Sequence, residues 1–228
     1  MTSIPMVPQT TANGLRRRVV HPRRPVRPTQ RRLPLRRGPR FVTHIYMVRH
    51  GRASAGWDTA VDPDLDEIGQ HQAERVADEL HSLANPTPLT IISSPLARCR
   101  QTAQPLATKW GIEPIIHNEV AEIPSPEGVD MSKRVEWLRV AMTKTWTELG
   151  ERYTNYRDNL VNYVTSLNHD TVIFSHFVAI NAVIGHATHD DQVLTMSLDN
   201  CSVTVFEKQP DGTLMLKRGG READTLIR

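Results

Sequence analysis

The chain has 228 residues, and 39% of them are hydrophobic, which is enough for one domain of ordinary size with a buried core. No apolar run approaches the roughly 20 residues of a membrane span, so no membrane partner is expected. Cys99 and Cys201 are the only cysteines, which excludes a disulfide framework and a zinc site made of thiolates alone. This cysteine usage favours a reducing, cytoplasmic setting.

The net charge of +3 combines two regions of opposite character. Residues 1–40 contain 11 arginines and no acidic residue, and they are rich in proline. Such a segment cannot bury enough apolar surface to order itself, so we predict a disordered arm at 1–40 and a folded domain at 41–228. The arm is compatible with binding of polyanions, with a transit-type leader or with a solvated tail. The remainder carries a net charge of −8, so no nucleic-acid partner is expected for the domain.

The domain begins with a predicted strand at 41–48, an apolar and β-branched run that ends at Arg49-His50-Gly51. Arg49 offers a planar fork of donors for a phosphate, and His50 offers a nitrogen that can act as nucleophile or proton carrier. Gly51 has no side chain, so its backbone can approach an anion closely. The alternative is a strand that simply stops at a turn, with a surface arginine and a histidine that only packs.

The remaining elements alternate between helices and strands. Strands are predicted at 89–93, 112–116 and 171–175, and a terminal hairpin joins 201–206 to 213–216. The first predicted helix follows Leu65, runs for about 16 residues and buries a face formed by Ile68, Val76, Leu80 and Leu83. Later helices are predicted at 96–110, 135–149, 153–167 and 179–187. This alternation predicts an α/β fold with a mostly parallel sheet and helices on both faces.

In such a sheet, ligands bind at the carboxyl ends of the strands. Three predicted strand ends carry polar groups, namely Arg49-His50, Ser93 with the nearby Arg98, and Ser175-His176. A phosphate dianion needs cations around its oxygens, and a histidine nucleophile divides phosphate-ester hydrolysis into two displacements. The leaving alkoxide needs a proton, which a glutamate with a raised pKa can supply.

These residues resemble the signature of the histidine phosphatase superfamily, whose fold is phosphoglycerate-mutase-like. Four further segments agree with that family in order and spacing, and the resemblance spans roughly residues 41–208. The four segments are Asp62 to Gly69 with Gln72-Ala73, Ser93 to Ala103, Glu122 to Pro126, and Ser175 to Ile180.

The resemblance implies a role for each site residue. His50 is expected to become phosphorylated, and Glu122 is expected to act as general acid and then as general base. Glu127, five residues later, is the rival for the acid role. The phosphoryl group is expected to contact Arg49, Gly51, Arg98 and His176.

Two other groups of residues invite a chemical interpretation. Cys99 lies beside Arg98 and could be a nucleophile, but a small helix residue that faces the core is the simpler interpretation. His186 and His189 lie near two aspartates, but their spacing fits no common ligand pattern. We therefore expect no metal and no cofactor.

The sequence favours hydrolysis over mutase chemistry. Asp58 stands where glycolytic mutases of this fold would be expected to carry asparagine. Only 54 positions separate Glu122 from His176, and this segment contains few basic residues to bind a phosphorylated sugar acid. The expected substrate is a small-molecule phosphomonoester or a phosphoprotein. A phosphoglycerate-mutase-type transfer and a phosphate-binding module without catalysis are the alternatives.

Overall fold

The computed structural model describes residues 42–56, 59–84 and 87–223. The predictions for the arm at 1–40 and for Asp58 lie outside these ranges. No helix within them is long and apolar enough to cross a membrane.

A six-stranded sheet with the order β3-β2-β4-β1-β5-β6 forms the centre of the fold. The strands are β1 (Thr43–Arg49), β2 (Thr90–Ser93), β3 (Ile115–Ile116), β4 (Thr171–Ser175), β5 (Val203–Lys208) and β6 (Leu214–Arg218). The pairs β3-β2, β2-β4 and β4-β1 are parallel, whereas β5 is antiparallel to both of its neighbours. The predicted mostly parallel sheet and the predicted terminal hairpin are therefore confirmed.

Helices cover both faces of the sheet, as predicted. They are α1 (Glu67–Ala84), α2 (Ala97–Trp110), α3 (Arg134–Ala141), α4 (Trp146–Leu149), α5 (Glu151–Ser166) and α6 (Phe177–Thr188). Successive side chains of a strand point to opposite faces. Ile45 and Met47 of β1 therefore pack with residues of α3 to α6, whereas Val48 packs with residues of α1 and α2.

Two helix predictions were partly wrong. Ile68 and Leu83, predicted to face the core, are 46% and 50% exposed, because α1 buries small residues beside Val76 and Leu80 instead. The predicted helix over 135–149 is two helices. Thr145 starts the second one by accepting a hydrogen bond from the backbone N–H of Glu148, whose carboxylate accepts one from the Thr145 backbone in return.

Candidate active site

The carboxyl ends of three neighbouring parallel strands meet at one edge of the sheet. Arg49, the last residue of β1, is in register with Ser175, the last residue of β4. Ser93 ends β2 beside the same strand. The residues that follow these ends, among them His50 and His176, therefore lie close together, with ring centroids 5.3 Å apart. The structure thus brings together the strand ends that the sequence singled out.

Two contacts fix the tautomer of His50. Its Nδ1 lies 2.7 Å from the carbonyl oxygen of Gly51, and because a carbonyl oxygen only accepts, Nδ1 must carry the proton. The Nε of Arg98, which only donates, lies 3.2 Å from His50 Nε2. Nε2 therefore carries no proton, and its lone pair accepts from the guanidinium. An unprotonated ring nitrogen is what a nucleophilic imidazole requires.

The surroundings of His50 also keep its imidazole neutral. Burial lowers the pKa of His50 well below 6.5, and the positive charges of Arg98 and Arg49 lower it further. The hydrogen bond to Gly51 acts in the opposite direction. A protonated imidazole has no lone pair at Nε2, so these neighbours maintain the reactive form.

Arg98 connects the two imidazoles. It lies in the first turn of α2, is 2% exposed, and places Nη2 3.2 Å from His176 Nδ1 while its Nε contacts His50. Its buried Nη1 makes no hydrogen bond to any described residue, and Asp62 Oδ1 lies 3.9 Å away. One planar fork thus presents three nitrogens at the strand ends, in the geometry that suits a phosphoryl group.

His176 is fully buried behind Arg98. Its Nδ1 accepts from Arg98, so its Nε2 carries the proton and donates to Ser94 Oγ at 2.7 Å. Burial is the main cause that lowers the pKa of His176 well below 6.5. These contacts let His176 orient the guanidinium, whereas a direct contact of His176 with a phosphoryl oxygen stays a prediction.

Cys99 lies in the core, as predicted. Its side chain is fully buried, with Sγ 3.3 Å from both His176 Nε2 and the carbonyl oxygen of Ser175. Burial raises the pKa of the Cys99 thiol, so the reactive thiolate is disfavoured.

Arg49 is the second buried cation of the site. Its Nη1 donates to the carbonyl oxygen of Leu198, and its guanidinium carbon lies 4.8 Å from the centre of the Phe177 ring. Burial lowers the pKa of Arg49 to about 10, and the negative charges of Glu122 and Asp199 oppose this effect. Arg49 therefore remains a cation at neutral pH.

Glu122 lies at the amino terminus of α6. Its carboxylate accepts a hydrogen bond from the N–H of Ile123 at 2.9 Å and a longer one from Val178 at 3.4 Å. Burial raises the pKa of Glu122 above 4.5, although the two N–H groups and the charges of Arg98 and Arg49 act against it. A carboxyl group with a raised pKa near two buried arginines suits a general acid.

Glu127, the rival for the acid role, lies at the surface. Its side chain is 90% exposed, and its Oε1 lies 2.6 Å from Arg152 Nη1. The positions of the two side chains therefore favour Glu122.

Gly51 contacts other parts of the protein. Its N–H donates to Thr102 Oγ1 at 2.9 Å, and its carbonyl oxygen accepts from His50. A Cβ atom at this position would lie 2.6 Å from the carbonyl oxygen of Gly69. The glycine is thus required for close approach of the chain to the start of α1. Its contacts indicate that it orients His50, whereas a contact of Gly51 with a phosphoryl group stays a prediction.

The described residues contain no group of three or more histidine, cysteine, aspartate or glutamate side chains that could hold a metal ion. Asp191, one of the two aspartates near His186 and His189, forms an ion pair with Arg157 at 2.7 Å.

The loop that precedes β5 supports the site and was missed by the sequence analysis. Asn200 Nδ2 donates to the carbonyl oxygen of His50 at 2.9 Å, and the backbone of Cys201 and Ser202 pairs with that of Arg49. A polar Asn-Cys-Ser run directly before an apolar strand was the available signal.

Comparison with protein families identifies the family and its fold. Residues 45–219 match the model described as histidine phosphatase superfamily (branch 1). "Probable phosphoglycerate mutase GpmB" of Yersinia pestis is 27% identical over 194 residues, which cover 74% of this chain and 86% of the relative. The protein of that name from Yersinia pseudotuberculosis gives the same values.

Solved structures of phosphatases share the fold. A mycobacterial glucosyl-3-phosphoglycerate phosphatase in complex with inorganic phosphate superposes with a TM-score of 0.62 and 20% identity, and the match covers 79% of this chain and 98% of that one. Phosphoserine phosphatase from Entamoeba histolytica, in complex with 3-phosphoglyceric acid, gives a TM-score of 0.60 and 19% identity, with 80% and 98% coverage.

Proposed function

The chain belongs to branch 1 of the histidine phosphatase superfamily, and we propose that it hydrolyses phosphomonoesters through a phosphohistidine on His50. One observation carries this proposal: His50 is held as the Nδ1–H tautomer, with Nε2 facing the guanidinium of Arg98. The proposed nucleophile and a cation that could bind the phosphoryl group thus lie within hydrogen-bond distance of each other.

In the first displacement, His50 Nε2 attacks phosphorus and the bond from phosphorus to the ester oxygen breaks. Arg49 and Arg98 stabilise the charge on the phosphoryl oxygens. Glu122 acts in its protonated form, which burial favours by raising the pKa of the carboxyl group, and gives its proton to the leaving alkoxide. The imidazole becomes positively charged on phosphorylation, and the Gly51 carbonyl oxygen that accepts from Nδ1–H stabilises this charge.

In the second displacement, water attacks the phosphohistidine. Glu122, now a carboxylate, takes a proton from the water, and the bond between phosphorus and Nε2 breaks. His50 returns to its neutral tautomer and inorganic phosphate leaves. Each residue ends in the protonation state in which it began.

We propose hydrolysis in preference to mutase transfer because the segment between Glu122 and His176 has few basic residues and two of them are paired with acidic side chains away from His50. Arg152 pairs with Glu127 at 2.6 Å, and Arg157 pairs with Asp191 at 2.7 Å. The sequence relatives named as probable mutases make phosphoglycerate-mutase-type transfer the second candidate. It predicts that a phosphorylated sugar acid, and not water, receives the phosphoryl group.

The proposed substrates are small phosphomonoesters. The structural neighbours named above act on, or contain, phosphoglycerate derivatives and phosphoserine, so phosphomonoesters that also carry a carboxylate should be screened first. Phosphohistidine on a protein belongs in the same screen. Both cysteines are buried and neither forms a disulfide, which is compatible with the proposed cytoplasmic setting.

The first experiment compares wild type with His50→Ala on an aryl phosphate without added metal. We expect turnover in wild type, loss of turnover in the variant, and an acid-labile phosphoryl label on wild type alone. Equal turnover in both proteins would refute the role of His50. Transfer of the phosphoryl group to 3-phosphoglycerate faster than to water would favour the mutase.

A further inference from the structure

The C-terminal segment, defined here as residues 219–223, packs on the loop 196–202 just before β5. Asp199 N–H donates to the carbonyl oxygen of Arg221 at 2.7 Å, and Ala223 N–H donates to that of Ser197 at 3.0 Å. Ser197 N–H donates to Glu222 Oε2 at 3.0 Å, and its hydroxyl donates to the Ala223 carbonyl oxygen at 3.0 Å. Four hydrogen bonds therefore join the two stretches.

Close backbone approach allows this packing. A Cβ atom on the buried Gly220 would lie 2.8 Å from Ser202 Oγ and 2.9 Å from Leu198 Cδ2. A Cβ atom on Gly219 would overlap the terminal methyl group of Met196. A side chain at Gly220 would therefore require the side chains of Ser202 and Leu198 to shift.

The same loop holds the first strand end of the site. The carbonyl oxygen of Leu198 accepts from Arg49 Nη1, and Cys201 N–H donates to the Arg49 carbonyl oxygen at 3.0 Å. Asn200 Nδ2 donates to the carbonyl oxygen of His50. Cys201 adopts a left-handed conformation (φ 53°), which a non-glycine residue adopts at some cost and which its neighbours must maintain.

We propose that the C-terminal segment is a positioning element for the phosphoryl-binding guanidinium of Arg49, acting through the carbonyl oxygen of Leu198. The segment itself does not touch the proposed reacting atoms. It holds the loop in the conformation that directs this carbonyl oxygen at Arg49. The proposal rests on the proposed function only in naming phosphate as the ligand of Arg49.

Two truncations of the full chain form a matched pair. Removal of residues 224–228 keeps all four hydrogen bonds, whereas removal of 221–228 deletes all of them. We expect the longer deletion to weaken binding of inorganic phosphate about tenfold, measured by calorimetry, because one charge-assisted donor is misplaced. The shorter deletion should bind phosphate like wild type. Equal phosphate affinity in the two truncated proteins would overturn the proposal.

Point variants test the same idea where the longer deletion fails to fold. Glu222→Ala removes the acceptor of the Ser197 N–H, whereas Glu222→Gln keeps an oxygen there and should restore phosphate affinity. Asp211→Ala is the matched control, because Asp211 also accepts from a backbone N–H, that of Thr213 at 2.9 Å, but in the hairpin at the opposite end of β5. A loss of affinity in Asp211→Ala equal to that in Glu222→Ala would show a general effect of destabilisation and refute positioning.

A double-mutant cycle separates action through Arg49 from any other route. In an Arg49→Met background, Glu222→Ala should change phosphate affinity no further. Additive losses would contradict the proposed connection.

A second measurement does not depend on phosphate binding, so it tests the inference even if the proposed function fails. Arg49 lowers the pKa of His50, so a displaced guanidinium should raise that pKa. An NMR titration of His50 in Glu222→Ala and Glu222→Gln measures this directly. An unchanged titration in Glu222→Ala would refute the inference.

Discussion

Substitution of Glu122 by glutamine gives the sharpest test of the proposed mechanism. Gln retains an oxygen that can accept from the Ile123 N–H at 2.9 Å, and only the longer contact to Val178 at 3.4 Å is lost. The buried carboxyl group is replaced by a neutral amide of the same size, so the fold should persist. The matched control is Glu127→Gln, five residues away on the surface.

The expected loss of rate in Glu122→Gln depends on how much proton transfer to the leaving group contributes to catalysis. A general acid contributes about 10²- to 10⁴-fold, or about 3 to 5 kcal/mol, when the leaving group is a poor one. We expect Glu122→Gln to lose this factor in the first displacement on an alkyl phosphate. A nitrophenolate leaves without a proton, so its release should be little affected. The second displacement still lacks its base, so phosphohistidine should accumulate.

The assay is rapid mixing of Glu122→Gln with p-nitrophenyl phosphate, followed by steady-state hydrolysis of an alkyl phosphate. A burst of nitrophenolate, about one per active site, should precede slow turnover, and Glu127→Gln should behave like wild type on both substrates. An equal loss on both substrates without a burst would refute the role of Glu122. A larger loss in Glu127→Gln would transfer the acid role to that residue.

Three further predictions concern the site and its support. Arg98→Lys replaces a planar fork by one ammonium that cannot contact both His50 and His176, and we expect a loss of about 10- to 100-fold in phosphate affinity by calorimetry. Gly51→Ala places a Cβ atom 2.6 Å from the Gly69 carbonyl oxygen, which should cost about 1 to 3 kcal/mol in chemical denaturation. The pKa of His176 is lowered in the folded state, so below pH 6.5 the unfolded protein binds one proton more at this residue than the folded protein does. The free energy of unfolding should therefore decrease as the pH is lowered below 6.5. His176→Asn should show a smaller drop in melting temperature between pH 7 and pH 5, and an unchanged drop would contradict this assignment.

The site residues at the strand ends could be found from the sequence because each lies near a signal that a few residues carry, whereas Glu122 was expected only from the family resemblance. His50 and His176 follow apolar strands, and Arg98 lies in the first turn of a helix that begins after a Ser-Pro pair. Position at a strand end is encoded within a few residues, and the parallel sheet brings such ends together. The Arg49-His50 pair was therefore predictable without knowledge of its partners.

The supporting contacts could not be predicted in this way. Leu198 holds Arg49 through a backbone carbonyl oxygen, which every residue type possesses, so no side chain marks it. The buried face of α1 was misread for a related reason, since Ala73 and Ala77 carry little hydrophobic signal although they are fully packed. The tautomer of His50 depends on the carbonyl group of Gly51, whose direction is a property of the folded backbone.

The position of β1 in the sheet has a consequence for how the protein is made. Among the described residues, β1 is the first strand of the sheet to be synthesised, and it pairs only with β4 and β5. Asn200 supports His50 across 150 residues of chain. During translation this apolar strand remains unpaired until β4 and β5 have been synthesised. Unpaired strands are prone to aggregate during that time. The nascent chain therefore cannot assemble the proposed phosphate site gradually. The site should form in a single late step, after β5 has left the ribosome, and chaperone demand should be highest just before that point.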